Sequence, residues 1–289
     1  MTQGDKKQPN NCSESKQLLC EKDKVWNEVV KEAREMTEQE PMLASFYHAT
    51  IINHDSLGSA LSYILANKLK TASMPAMAVR EVIEQAFDAD PSITASAACD
   101  ICATVYRDPA VEKYSIPLLY LKGYHALQGY RVANWLWNNG RFALATYLQN
   151  QISVACQVDV HPAAKIGKGI MFDHATGIVI GETAVVEDDV SILQDVTLGG
   201  TGKEGGDRHP KIREGVMIGA GAKILGNIEV GQGAKIGSCS VVLQAVPAHT
   251  TVAGVPAKIV GKPKSDKPSL DMDQQFNGRS QQFTGGDGI

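Results

Sequence analysis

The sequence lacks a long apolar run, and no stretch approaches the roughly 20 apolar residues that a membrane-spanning helix needs. Its polar beginning, MTQGDKKQPNNCSESKQ, also lacks the apolar core of a signal peptide. Positive charge is not in excess: 28 Lys and Arg against 32 Asp and Glu give a formal net charge of −4. Nucleic-acid binding usually needs a basic field, which this composition does not supply. We therefore expect a cytoplasmic protein whose partners include neither a membrane nor a nucleic acid.

Cysteine is scarce and scattered, with six residues in a chain of 289, which is too long to need disulfide staples. Cys99 and Cys102 form a Cys-x-x-Cys pair inside a segment whose pattern is helical. A zinc site usually needs a second pair, or histidines at ligand spacing, and neither is nearby. We interpret the pair as structural thiols, and we expect no metal ion.

The first half of the sequence has helical periodicity. In KVWNEVVKEAREMTEQE, for example, apolar residues such as Trp26, Val29 and Ala33 recur at helical spacing among charged ones. Prolines separate this run from several similar ones. The pattern predicts a polar extension over 1–20 and then an all-helical domain of seven or eight helices over 21–157.

The second half has a period of six. Each repeat of a parallel β-helix is a short strand followed by a turn, and its inward aliphatic residue stacks on those of neighbouring coils. The pattern predicts an α + β protein, with a parallel β-helix over 158–262 and a flexible, glycine-rich tail over 263–289. The apolar positions form two series: Val160, Ile166, Phe172, Ile178, Ala184, Val190 and Val196, then Ile212, Ile218, Ile224, Val230, Ile236 and Val242.

The two series are out of phase by ten residues. Continuing the first series from Val196 leads to position 202, whereas the second begins at Ile212. We therefore expect ten extra residues to leave the coil between about 199 and 211. This segment, GGTGKEGGDRHPK, ends with Arg208 and His209, and inserted loops of solenoids commonly form binding surfaces.

Three polar elements of the second half are not required by the repeat. They are Asp159 near its start, the pair Asp173-His174, and the pair Arg208-His209. Because about one coil separates Asp159 from His174, the two are expected near neighbouring corners, where a carboxylate orients an imidazole. A histidine base suits an alcohol nucleophile, whose proton must be removed during attack. A histidine taken alone is more often a hydrogen-bonded structural residue. Three of the seven histidines lie within 49 residues beside Asp or Arg, so a structural and a catalytic role both stay open.

The sequence from VDVHPAAKIG through FDHATG and GGDRHPKI to GAKILGN resembles the serine acetyltransferase family of hexapeptide-repeat acyltransferases. The resemblance extends upstream through RDPAVEKYS and downstream through AGVPAKIVGKP, over about residues 21–289. It implies a left-handed β-helix and direct attack of an alcohol on a thioester. It also implies acetyl-CoA as co-substrate, no permanently bound cofactor, and L-serine as acceptor.

The resemblance also implies residue roles. His174 is the general base and Asp159 its partner, while Asp108 and Asp173 hold the substrate ammonium group and Arg208 and His209 its carboxylate. The charges are complementary, because a guanidinium forms a fork with a carboxylate. Acetyl-CoA is expected in a groove between the β-helices of neighbouring subunits, with contacts from Thr201, Ala220, Ala222, Lys235 and Lys258.

The family further implies a homo-hexamer made of two trimers. It implies that L-cysteine is a feedback inhibitor competing with serine. The terminal residue, Ile289, is expected to enter the active site of O-acetylserine sulfhydrylase and so join the two enzymes in a complex.

Three other interpretations of the sequence remain open. One is a hexapeptide acyltransferase that acts on a sugar or an antibiotic, because a fold does not fix a function. Another is a zinc-dependent hydratase with His161, His174 and His209 as ligands. The third is a non-catalytic scaffold that works through its tail alone.

Overall fold

The structure is a computed structural model that describes residues 22–202 and 205–275. It divides into two compact units, Met1–Ala155 and Cys156–Ile289. The first unit is helical and the second is a parallel β-solenoid, so the helical region followed by a β-helix is confirmed.

The first unit packs its helices around an aliphatic core that includes Leu61, Leu65, Ile101 and Leu127, all fully buried. Prolines begin or separate several helices, as the sequence predicts. A 3₁₀ turn (Pro41–Leu43) and a π-helical turn (His48–Ile52) lie on either side of the short helix Ala44–Tyr47. The α-helices of residues 22–156 are α1 (Lys22–Gln39), α2 (Ala44–Tyr47), α3 (Leu57–Leu69), α4 (Ala76–Ala89), α5 (Ser92–Arg107), α6 (Ser115–Tyr120), α7 (Lys122–Asn138) and α8 (Phe142–Cys156).

Charged groups are also buried in this unit. The carboxylate of Glu32 accepts hydrogen bonds from the backbone N–H groups of Tyr114 and Ser115, at 3.0 and 2.8 Å. It therefore satisfies backbone donors at the start of α6, where negative charge is favourable. Asp100 is fully buried on α5 and pairs with Arg131 of α7, with 2.7 Å between Oδ2 and Nη2. None of the described helices is long and apolar enough to cross a membrane.

The second unit winds short strands into three sheets. The strands are β1 (Val158–Val160), β2 (Lys165–Ile166), β3 (Met171–Phe172), β4 (Ile178–Ile180), β5 (Val185–Val186), β6 (Ser191–Ile192), β7 (Thr197–Gly199), β8 (Lys211–Ile212), β9 (Met217–Ile218), β10 (Lys223–Leu225), β11 (Glu229–Val230), β12 (Lys235–Ile236), β13 (Val241–Val242), β14 (Thr251–Ala253) and β15 (Lys258–Gly261). Sheet A is β1-β4-β7-β10-β13, sheet B is β2-β5-β8-β11, and sheet C is β3-β6-β9-β12-β14 followed by the antiparallel β15. Sheets A and C each have five parallel strands, whereas sheet B has four, because the last coil has only an isolated bridge between Val230 and Val246 in place of a fifth strand.

The strand register corrects the expected position of the extra residues. Phe172 pairs with Ile192, 20 residues later, whereas Ile180 pairs with Leu198, 18 residues later. The next coil takes 26 residues, since Leu198 pairs with Ile224. Relative to an 18-residue coil, eight extra residues therefore leave between β7 and β8, and two leave between β3 and β4. The expectation of ten in one loop was wrong because two separate insertions add up to the same phase shift.

The two-residue insertion lies where the chain turns from sheet C to sheet A, which we call the C–A corner. It contains His174 and Ala175, whose φ angles are 55° and 62°. Two consecutive non-glycine residues in the left-handed region are uncommon and cost backbone energy, a feature that clusters at functional sites. The insertion thus gives the first coil a turn that the later coils lack.

Residues 263–275, which the sequence assigned to the flexible tail, pack on the solenoid and include a short helix, α9 (Pro268–Asp271). Lys267 forms ion pairs with Asp189, at 3.1 Å, and with Glu214. Since these carboxylates belong to successive coils, the lysine fastens the segment across them. Residues 276–289 lie outside the described part of the chain.

Candidate functional site

His174 projects from the C–A corner into solvent. Its side chain is 76% exposed, and its Nε2 atom lies 3.8 Å from Oδ1 of Asp173. The insertion explains this position, because a turn two residues longer moves the imidazole outward from the coil. A histidine so placed can exchange a proton with a bound molecule.

Asp159 lies at the centre of β1, half-buried between the inward residues Val158 and Val160. The start of β1 packs against the His174 turn, since the N–H of Gly177 donates to the carbonyl of Gln157 at 2.8 Å. The sequence placed Asp159 and His174 near neighbouring corners. The role of Asp159 as partner of His174 stays a prediction.

Arg208 and His209 lie where the chain enters sheet B from sheet A, which we call the A–B corner. The guanidinium of Arg208 donates to Glu182 at 2.6 Å and to the carbonyl of Gly206 at 3.1 Å. Arg208 in turn lowers the pKa of Glu182, first by this hydrogen bond and then by its charge. The inserted loop therefore returns to the coil with its arginine fixed by a residue of the preceding coil.

His209 is largely buried beside the same turn. Its Nδ1 lies 3.2 Å from the backbone nitrogen of Thr183 and 2.8 Å from that residue's hydroxyl. Burial lowers the pKa of His209, and the nearby positive charges of Arg208 and Lys211 act in the same direction, against the opposing charge of Glu182. The ring is therefore favoured in its neutral form, as a hydrogen-bond donor at one nitrogen and an acceptor at the other.

His161 belongs to the A–B corner as well. Its pKa is lowered by burial, whereas the charges of Glu182 and Asp159 raise it and that of Arg208 lowers it further. Groups from three successive coils thus act on one another at this corner. Within the described ranges, no group of three or more His, Cys, Asp or Glu side chains is arranged to hold a metal ion. The zinc interpretation needs His161, His174 and His209 together, and within one chain His174 lies at the other corner.

The two corners are separated by the width of sheet A. Five residues lead from Gly177 at the C–A corner to Glu182 at the A–B corner, roughly 17 Å of extended chain at about 3.3 Å per residue. Within one chain, His174 and the Arg208-His209 pair therefore lie at opposite edges of sheet A.

Asp108 belongs to the helical unit and lies directly after α5. Its Oδ1 accepts a hydrogen bond from the N–H of Ala110 at 2.8 Å, which fixes the carboxylate in a turn. This is the local geometry expected of an Asp-Pro turn, and it is compatible with a second acceptor interaction on the same carboxylate.

The residues expected to bind acetyl-CoA occupy different parts of the solenoid. Thr201 is exposed at the start of the inserted loop, and Lys258 is exposed on β15. Ala220 follows β9 at the C–A corner, whereas the side chain of Ala222 is fully buried in the core. Lys235 is 5% exposed, and its amine donates to the carbonyl of Gln275 at 2.6 Å.

Sequence reasoning missed Glu182 and Thr183, which hold the Arg208-His209 pair. They lie 26 residues before Arg208 and His209, and 26 residues is the length of that coil. This 26-residue spacing could have identified both residues from the sequence, but only if the length of each coil were known. These lengths were hidden by the unrecognised insertion at His174.

Comparison with known proteins agrees with this architecture. Residues 25–129 match the family described as serine acetyltransferase, N-terminal. Residues 209–244 match the family described as bacterial transferase hexapeptide (six repeats), in agreement with the expected left-handed β-helix. The serine acetyltransferase of Escherichia coli strain K12 is 73% identical over 273 residues, which are 94% of this chain and 100% of the relative.

Solved structures give the same result. The serine acetyltransferase of Vibrio cholerae O1 biovar El Tor is 86% identical, with a TM-score of 0.88 over 89% of this chain and 99% of that one. A serine acetyltransferase in complex with cysteine is 67% identical, with a TM-score of 0.86 over 87% and 98% of the two chains. Another, in complex with CoA, is 66% identical, with a TM-score of 0.80 over 83% and 100%. The chain therefore belongs to the serine acetyltransferase family of acyltransferases.

Proposed function

We propose that this protein transfers the acetyl group of acetyl-CoA to the hydroxyl of L-serine, giving O-acetyl-L-serine and CoA in the synthesis of cysteine from serine. Acetyl-CoA is a co-substrate and not a resident cofactor, as expected for this family. The observation that carries the proposal is the solvent-facing His174, raised from the coil by a two-residue insertion.

His174 acts as the general base and Asp159 supports its protonated form. The imidazole removes the proton of the serine hydroxyl while the oxygen attacks the thioester carbonyl. Collapse of the tetrahedral intermediate breaks the carbon–sulfur bond, and the imidazolium returns the proton to the departing CoA thiolate. No acyl-enzyme forms, so one histidine serves both steps, and a base of this kind contributes about 10²- to 10⁴-fold to the rate.

The charged ends of serine bind oppositely charged side chains. Asp173, beside His174, and Asp108 of the helical unit hold the ammonium group. Arg208 and His209 hold the carboxylate, the arginine through a fork of two N–H donors. An alcohol without these charges leaves buried polar groups unpaired and is rejected, which gives the selectivity for an amino acid.

The active site forms between two copies of the chain. Since His174 and the Arg208-His209 pair lie at opposite edges of sheet A in one chain, roughly 17 Å apart along the backbone, His174 of one copy faces this pair of its neighbour. Repetition of this contact around a threefold axis closes a trimer with three equivalent sites. Two such trimers form the hexamer. Acetyl-CoA lies in the groove between solenoids, against Thr201, Ala220 and Lys258. The buried Ala222 and Lys235 support this surface from within the coil.

L-Cysteine inhibits the enzyme by competing with serine. It carries the same ammonium and carboxylate groups, and a related serine acetyltransferase has been solved with cysteine bound. The partner in the cell is O-acetylserine sulfhydrylase, bound through Ile289, which lies outside the described residues. The enzyme acts in the cytoplasm.

The experiment is the release of free CoA thiol from acetyl-CoA, with and without L-serine, by purified full-length protein and by His174→Ala. The expected result is serine-dependent release that the variant loses by at least about 10²-fold. An exposed histidine of the helical unit provides the matched control, His48→Ala, which should keep the full rate. Folded wild-type protein that releases no thiol in the presence of serine would disprove the proposal.

A further inference from the structure

The turn Gly181-Glu182-Thr183 lies directly beside Arg208 and His209 at the A–B corner. The hydroxyl oxygen of Thr183 accepts hydrogen bonds from the backbone N–H groups of Arg208, at 3.0 Å, and His209, at 3.1 Å. A hydroxyl has two acceptor lone pairs and one donor hydrogen, so both lone pairs are used by the returning loop. Thr183 thus fixes the backbone from which both side chains project.

The same threonine determines the tautomer of His209. Its backbone N–H lies 3.2 Å from Nδ1 of the ring, and an N–H group can only donate. The hydroxyl of Thr183 also lies 2.8 Å from Nδ1, and the carboxylate of Asp207 is a second acceptor for its hydrogen. Nδ1 is therefore the acceptor, and in the neutral ring the proton resides on Nε2. The imidazole is held as an Nε2–H donor.

Gly181 supplies the space for this ring. A Cβ atom at position 181 would lie 2.1 Å from both Cδ2 and Nε2 of His209, far inside any real contact. The φ angle of Gly181 is not in the left-handed region, so the glycine is required for space and not for its backbone conformation. The ring packs against the bare backbone of the preceding coil.

These contacts explain how a neutral histidine is kept beside an arginine. Burial, Arg208 and Lys211 all disfavour the imidazolium, and His161 acts in the same direction, whereas Glu182 favours it. With the neutral form favoured, the fixed tautomer determines what the ring offers. An Nε2–H donor next to a guanidinium matches the oxygens of a carboxylate.

We propose that Gly181 and Thr183 are positioning residues for recognition of the serine carboxylate: Thr183 locks His209 as the Nε2–H tautomer and fixes the turn that aims Arg208, and Gly181 provides the space. This inference rests on the proposed function, in which Arg208 and His209 bind that carboxylate. Neither positioning residue touches the reacting atoms.

The test compares Thr183→Val, which removes the hydroxyl, with Thr183→Ser, which keeps it. The serine carboxylate does not react, so its contacts are the same before and during the chemical step, and their loss raises KM and leaves kcat nearly unchanged. The valine variant should raise the KM for L-serine about 10-fold, equal to about 1.4 kcal/mol, with kcat and the KM for acetyl-CoA within about threefold. The serine variant should stay within about threefold of wild type.

Thr250→Val is the matched control, since Thr250 donates its hydroxyl to the carbonyl of Ala248 elsewhere in the solenoid and should leave the KM for serine unchanged. Gly181→Ala is a second variant, expected to raise this KM like Thr183→Val because its Cβ displaces the ring. An unchanged KM in folded Thr183→Val, or an equal rise in Thr183→Ser, would overturn the proposal.

A second readout does not depend on activity. Solid-state ¹⁵N NMR of histidine-labelled full-length protein, with His209→Gln to assign the signal, reports which ring nitrogen carries the proton. Wild type should show Nε2–H at His209, and Thr183→Val, which loses the hydroxyl but keeps the backbone N–H that donates to Nδ1, should keep that tautomer. An Nδ1–H signal in wild type refutes the lock itself. The predicted tautomer in a protein without serine-dependent activity refutes the proposed function, and the carboxylate role with it, while the lock stands.

Discussion

Replacing His125 should make the protein less sensitive to acid. This histidine on α7 is almost fully buried, and its Nε2 lies 2.7 Å from the carbonyl of Leu118. Burial lowers its pKa to about 4, and the charge of Lys68 acts in the same direction, although the hydrogen bond to Leu118 opposes them. In the unfolded chain a histidine titrates near 6.5, so the folded state resists a proton that the unfolded state accepts.

The direction of the pH dependence of stability follows from this difference between the folded-state and unfolded-state pKa values. Because the folded-state pKa is the lower one, stability is highest above about pH 6.5 and falls as the pH drops towards 4, by about 1.4 kcal/mol per unit and about 3 kcal/mol in total. His125→Gln keeps an N–H donor for Leu118 but cannot titrate in this range. Its stability should therefore lose about 3 kcal/mol less than wild type between pH 7.5 and 4.

The assay is urea denaturation at several pH values, followed by circular dichroism. Only the pH dependence is compared, because the substitution also changes packing at every pH. His48→Gln, at an exposed position of the same unit, is the control and should follow the wild-type curve. Parallel curves for wild type and His125→Gln would refute the reasoning.

Two further predictions concern a helix start and the chain end. Glu32→Gln removes the charge that accepts two backbone N–H groups at the start of α6, and it should lower the free energy of unfolding by about 1 kcal/mol, measured by urea denaturation at pH 7.5. An unchanged free energy would contradict this account of the cap. Deleting Gly288 and Ile289 should abolish binding to O-acetylserine sulfhydrylase in gel filtration and leave acetyl transfer intact, and a complex that survives the deletion would contradict the proposed role of the tail.

The two-unit fold was predictable because its patterns are strong. Apolar spacing in the first half predicts helices, and the period of six predicts a solenoid. The insertion at His174 was not predictable from that period, because Ile178 is apolar and keeps the six-residue count. Inward residues alternate with outward ones on each strand, so Ile178 and Ile180 both point inward. The six-residue count therefore passed from one inward position of the coil to another without meeting a polar residue.

The site was predictable in composition and not in arrangement. The sequence singles out His174, Arg208 and His209 as polar residues that the repeat does not need. Their distribution over two corners depends on the coil lengths, which only the strand register gives. The support from Thr183 depends on its hydrogen bonds, and a threonine in a turn gives no separate signal in a single sequence.

The central claim is that an acetyl transfer site for serine forms from His174 of one copy and Arg208 of another. It is tested by coexpressing His174→Ala and Arg208→Ala chains and measuring serine-dependent thiol release at serine concentrations well below saturation. Each variant alone should be nearly inactive. Random co-assembly of equal amounts restores about one quarter of the sites, because an intact site needs an Arg208→Ala chain on the side that supplies His174 and a His174→Ala chain on the side that supplies Arg208. Recovery near one quarter of the wild-type rate supports the account. No recovery in mixed assemblies that are folded and contain both chains would contradict it.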